Sequence, residues 1–153
     1  MKILRILAII IILAVILPAV AACQKIASPL EDFNWILTRY GDPGSMKTPL
    51  PDTQVTAFFD SKEKKVSGSG GCNTYGGAYT VDHLSLTITG PLVMTEMSCG
   101  GEKDIQENQF LNALQKADSF ELEQGQLIIH SGNYRLYFKQ TDIPVKTISQ
   151  WGE

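Results

Sequence analysis

Only one stretch of the chain, "DIQENQFLNALQKA" (Asp104–Ala117), carries the 3.6-residue rhythm of a helix without glycine or proline. Almost everything else between Asn34 and Gln140 reads as short β segments, and this excludes most alternatives. In "HLSLTIT" (His83–Thr89), Leu84, Leu86 and Ile88 alternate with Ser85, Thr87 and Thr89. A period of two puts apolar groups on one face of a strand and hydroxyls on the other. Further strands are expected at Asn34–Tyr40, Thr53–Asp60, Lys64–Gly70 and Gly77–Asp82. "SFELE", "QLIIH" and "YRLYFKQ" are joined by the short turns "QGQ" and "SGN". About eight strands and one helix predict a mainly β domain. It is a small antiparallel barrel or strongly curled sheet, because such a chain must hide its strand edges. The helix packs on it, with Phe110, Leu111 and Leu114 as its apolar face. Asp104 followed by Glu107 suggests a capping box at its start.

The first 22 residues are read apart from this fold. Lys2 and Arg5 precede an apolar run, Ile6–Val20, interrupted by Pro18; small residues then lead to Cys23. This is the pattern of an export signal. Two readings keep the chain at a membrane. The run approaches the roughly 20 residues of a spanning helix, but Pro18 breaks a helix where a span would continue. "VAAC" (Val20–Cys23) resembles the bacterial lipobox, which implies cleavage before Cys23 and lipidation of that cysteine. An ordinary secretion signal, with Cys23 there by chance, remains the third reading. The expected organisation is a signal peptide over 1–22, a tether over 23–32, a domain over 33–140 and a tail over 141–153.

A chain starting at Cys23 has 131 residues and keeps 11 basic against 16 acidic side chains, a formal charge of −5. Such a domain has no electrostatic affinity for nucleic acid or anionic lipid, so membrane attachment would come from the lipid anchor. If Cys23 is lipidated, Cys72 and Cys99 remain as an even pair. Outside the cytoplasm such a pair more often forms a disulfide than a catalytic site.

The stretch "VSGSGGCNTYGGAY" (Val66–Tyr79) holds five glycines, one cysteine and one asparagine. A phosphate-binding loop would need lysine and a following helix, whereas Cys72–Asn73 follow Gly70–Gly71 and the flanks are strands. A cysteine nucleophile would need a base. His83, at a hairpin, and His130, at a strand end, are both expected to face solvent. Two cysteines 27 apart match no metal-ligand spacing, and Glu121 and Glu123 alternate on a strand facing water. No metal or other cofactor is expected. The glycines instead suit a strand that ends, turns a tight corner and re-enters, with Asn73 as a turn residue and Cys72 at the corner.

"GSGGCNTYGGAY" (Gly68–Tyr79), "LSLTI" (Leu84–Ile88) and "MTEMSC" (Met94–Cys99), in that order, resemble the META domain family, which includes the heat-shock protein HslJ. Gly71, Cys72, Asn73, Gly77, Tyr79, Thr95, Met97 and Cys99 fill the places of its motif, and Trp35 matches its aromatic opening. The resemblance covers about Phe33 to Lys139. It implies a small β-barrel-like fold with a helix, an envelope setting and a link to heat shock or envelope stress. It supplies no catalytic residues. The motif is expected to be a framework: a corner, a disulfide, and packing around Met97 and Tyr79. The leading expectation is a non-enzymatic, membrane-anchored extracytoplasmic protein with an interaction or stress role. Two others are a carrier holding a small ligand inside the barrel and a protein-binding module, such as a protease inhibitor, acting through the Gly41–Asp52 loop.

Overall fold

A computed structural model describes residues 28–141. The expected signal segment, Cys23 and the tail beyond Thr141 lie outside the described residues. Nine strands are present: β1 (Asn34–Gly41), β2 (Thr56–Asp60), β3 (Lys65–Ser69), β4 (Thr74–Asp82), β5 (Ser85–Ile88), β6 (Val93–Met94), β7 (Ser119–Glu123), β8 (Gln126–Ser131) and β9 (Tyr134–Thr141). One helix, α1 (Glu102–Gln115), lies between β6 and β7. The sheet order is β3-β2-β1-β9-β8-β7-β5-β4-β6, and β3 also pairs with β4. That extra pairing closes eight strands into an antiparallel barrel and leaves β6 as a short flap on β4. The expected curled β fold with one packed helix is therefore present.

Local chemistry explains the strand connections. Between β2 and β3, Asp60 Oδ1 accepts the backbone N–H groups of Lys62 and Glu63, and Lys64 takes a positive φ of 52°. Between β7 and β8, Gln124 and Gly125 both have positive φ, which fits the twist of a two-residue hairpin. In β5, Leu86 and Ile88 are buried while Ser85 and Thr87 face out. Leu84, expected on the same apolar row, is 57% exposed because it belongs to the turn before β5.

The core is aromatic. Trp35, Phe59, Tyr75, Tyr79, Phe110, Phe120 and Phe138 are each at most 1% exposed. Phe110, from the buried face of α1, makes edge contacts with Tyr75 and Phe138 at ring-centroid distances of 5.6 and 6.4 Å. The helix thus packs onto the barrel through Phe110.

Order begins earlier than the expected tether boundary. Leu30 and Glu31 are buried, and Trp35 Nε1 donates to Leu30 O at 2.9 Å. Asp32 accepts from Ser61 at both carboxylate oxygens. Residues 28–32 therefore belong to the domain. The helix starts two residues ahead of its expected Asp104, and the capping box is not made: Gly101 is the N-cap and carries no side-chain cap. Asp104 instead turns back to accept from Cys99 N–H and Gly100 N–H at 3.1 and 3.2 Å. Glu107 turns into the barrel.

Candidate functional site

The glycine-rich stretch is a corner, as its residues suggest. β3 ends at Ser69, β4 begins at Thr74, and the four residues between them bring the chain back beside itself. Gly70 faces Glu107 so closely that a Cβ there would collide with the carboxyl group. Gly71 has φ +105°, a conformation that favours glycine. Gly77 lies within β4 opposite Val66, under the Leu92 side chain.

Asn73 does more than turn the chain. It is 2% exposed, and its side chain joins three segments. Nδ2 donates to Glu107 Oε2 at 2.7 Å and to Met97 O at 2.9 Å. Oδ1 accepts from Thr95 Oγ1 and from Met97 N–H, both at 2.8 Å. Glu107 Oε1 also accepts the Asn73 N–H at 2.6 Å. Buried polar groups must find partners, and here corner, helix and the 95–97 segment supply each other's. Cys72 and Cys99 are joined by a disulfide, with Cα atoms 6.0 Å apart, which fastens the same segment a second time. We call this assembly the clasp.

The motif residues divide accordingly. Gly71, Cys72, Asn73, Thr95, Met97 and Cys99 meet in the clasp. Met97 departs from expectation: its side chain is 58% exposed and only its backbone is used. The cause is that the 95–100 segment runs over the surface, held by Asn73, the disulfide and Asp104. Tyr79 is elsewhere and is a packing residue as expected, edge-on to Phe59 at 5.2 Å. Its hydroxyl donates to Glu31 Oε1 at 2.5 Å.

That contact belongs to a second buried polar group. Glu31 accepts from Tyr79, from Ser28 N–H at 2.7 Å and from the Lys64 ammonium. Burial alone would raise the Glu31 carboxyl, but the hydrogen bonds from Lys64, Tyr79 and Ser28 outweigh it and hold it below its ordinary value. Tyr79 is pushed up, by burial first and then by Glu31. Glu31 lay in the expected tether and Glu107 in the expected cap, so sequence reasoning missed both roles. For Glu107 a signal existed, since it sits in register with Phe110, Leu111 and Leu114 on the face that packs inward.

The histidines contact other groups than the cysteines. His83 is exposed beside Asp82. His130 is not solvent-facing as expected; its ring is mostly covered, with Nε2 3.0 Å from Glu121 Oε1. Among the described residues no group of three His, Cys, Asp or Glu could hold a metal ion.

On the outer wall, a cleft of about 450 Å3 lies between the 41–47 loop, α1 and the β8–β9 turn. Asp42, Lys47, Gln109, Asn112, Lys116 and Tyr134 are among its lining residues. The loop is fixed by paired hydrogen bonds between Tyr40 and Lys47, at 2.9 and 2.8 Å. Gln106 then ties the following residues to α1, accepting from Leu50 N–H and donating to Thr53 Oγ1. The loop expected to be exposed has most of its residues exposed, while hydrogen bonds to Gln106 and Gln109 tie it to the helix.

The META domain family model matches residues 28–143. A protein from Burkholderia xenovorans solved by NMR is similar in fold, with a TM-score of 0.63 and 24% identity over 74% of this chain and 84% of that one. A second NMR structure has a TM-score of 0.55 and 23% identity over 72% and 90% of the two chains. Comparison with curated proteins gave no match. With the family match spanning the barrel, the clasp and the helix, this chain belongs to the META domain family.

Proposed function

We propose that this protein is a lipid-anchored, extracytoplasmic META-domain protein with a non-catalytic interaction role in envelope stress. The observation that carries this reading is the Cys72–Cys99 disulfide on the clasp, a bond suited to an oxidising compartment. The apolar run and "VAAC" before Cys23 supply the export route and the anchor. The motif's polar side chains are taken up by one another, so Asn73, Thr95 and Glu107 are framework groups in this reading. Function then belongs to the outer surface. The interior favours this over the carrier: the core aromatics are at most 1% exposed and meet edge to face at ring-centroid distances of 5.2, 5.6 and 6.4 Å, whereas a carrier needs an open lumen.

The test is complementation of a deletion strain under heat and envelope stress, with fractionation of the same cells. The wild-type protein is expected in the membrane fraction and to restore survival. Cys23→Ser is expected to leave that fraction's lipid-modified pool and to lose survival. Full rescue by an unmodified Cys23→Ser chain would contradict the anchored role. A turnover abolished by Cys72, His83 or His130 substitutions would contradict the non-catalytic one.

A further inference from the structure

We propose that the cleft between the 41–47 loop and α1 binds an acidic saccharide: a hydroxylated ring bearing a carboxylate or a phosphate. The inference goes beyond the role proposed above and does not depend on the lipid anchor. The volume, about 450 Å3, is within the roughly 300–1,000 Å3 of small-molecule sites. Charge gives the first argument. The chain is net acidic, yet the cleft's ionisable walls bring Lys47 and Lys116 against the single carboxylate of Asp42.

Geometry gives the second argument. Gln109 and Asn112 follow at helical spacing on one face of α1, and Lys116 stands at its C-cap. Lys47 faces them from the loop, its ammonium donating to Gln109 Oε1 at 3.2 Å. Side-chain amides both donate and accept, which suits the mixed demands of sugar hydroxyls. The third wall supplies the half-buried Tyr134, whose ring offers a flat apolar face and whose hydroxyl a donor. All three walls are fixed before any ligand arrives: the loop by Tyr40 and Lys47, the loop-to-helix seam by Gln106, and the turn by the β8–β9 ladder. Preorganised walls lower the ordering cost of binding.

Position gives the third argument. Gly41 pairs with Arg135, and Asn34 pairs with Thr141 at the other end of the same two strands. The cleft therefore opens about 24 Å along β1 from the Asn34–Thr141 end of the pair, at 3.4 Å per residue.

The test uses the full-length protein in detergent, with calorimetry and ligand-observed NMR. The probes are digalacturonic acid, glucose 6-phosphate, neutral maltose and inorganic phosphate. At least one acidic sugar is expected to bind saturably at millimolar concentration or below, at least about tenfold tighter than maltose and than inorganic phosphate. Which of the two binds identifies the anionic group. Lys47→Gln with Lys116→Gln is expected to weaken that probe at least about tenfold with the thermal midpoint unchanged. Lys62→Gln with Lys65→Gln, at the β2–β3 turn, is expected to leave it unaltered. The proposal is overturned if neither acidic sugar binds, if maltose or inorganic phosphate binds as well, or if the Lys47/Lys116 variant binds like wild type.

Discussion

Asn73 shows how one side chain can replace a stretch of secondary structure. Four hydrogen bonds leave its amide, and its backbone N–H gives a fifth to Glu107. Truncating it leaves the buried Glu107 carboxylate short of a partner, at about 1–3 kcal/mol, while Thr95 and the Met97 backbone, on the exposed segment, turn to water and lose about 1 kcal/mol of net hydrogen bonding. Asn73→Ala is therefore expected to destabilise by about 2–4 kcal/mol, read as a lower denaturant midpoint with an unchanged slope. Glu31 makes a pH-dependent contribution. Its carboxyl is held below the ordinary carboxylate value by its hydrogen bonds from Lys64, Tyr79 and Ser28, so its stabilisation is present above the unfolded value and is lost as pH falls through the lower folded one. Urea midpoints measured from neutral pH down to acid are expected to fall less in Glu31→Gln than in wild type. Parallel decline of the two proteins would contradict this.

At the scale of elements, the helix and the 95–100 segment are held to the barrel from two directions. Phe110 anchors α1 inside, and the disulfide anchors the segment outside. A crosslink between residues 27 apart restricts the unfolded chain by about 3–4 kcal/mol in the chain-entropy model. Cys72→Ser with Cys99→Ser is expected to lower the melting temperature by roughly 10 °C or more, while far-ultraviolet circular dichroism stays that of the β-rich fold. A melting temperature unchanged by reduction would show that the hydrogen bonds of Asn73 suffice alone.

Elements of this kind were legible in the sequence to different degrees. Strands β7 to β9 were, because alternation and short turns are local signals. So was the corner, since glycine clusters between strands have few other uses. The two-residue β6 was not: Val93 and Met94 pair with Gly76 and Tyr75, a long-range match with no local pattern. Glu31 and Glu107 were legible as residue types but not as partners, because burial of a carboxylate depends on groups 33 to 48 positions away. The Met97 side chain was placed in the packing by motif membership, whereas only its backbone serves the clasp.

Over the molecule as a whole, β1 begins and β9 ends side by side at the Asn34–Thr141 pair, while the cleft opens at the other end of these strands. A tether of five residues from Cys23 to Ser28 spans at most about 18 Å fully extended. A lipid on Cys23, as proposed, would therefore hold the barrel close to the bilayer. A single acyl chain anchors only marginally, whereas several hold firmly, so under the proposed anchoring the number of chains on Cys23 would set how firmly the protein is held.

Intact mass of the membrane-extracted protein tests this most directly, taken before and after reduction. A chain beginning at Cys23 is expected, heavier than its sequence by a diacylglyceryl group and any further acyl chain. On reduction it is expected to gain two hydrogens, from Cys72 and Cys99. An unmodified chain of 16.8 kDa with free thiols before reduction would contradict both the anchor and the oxidised clasp.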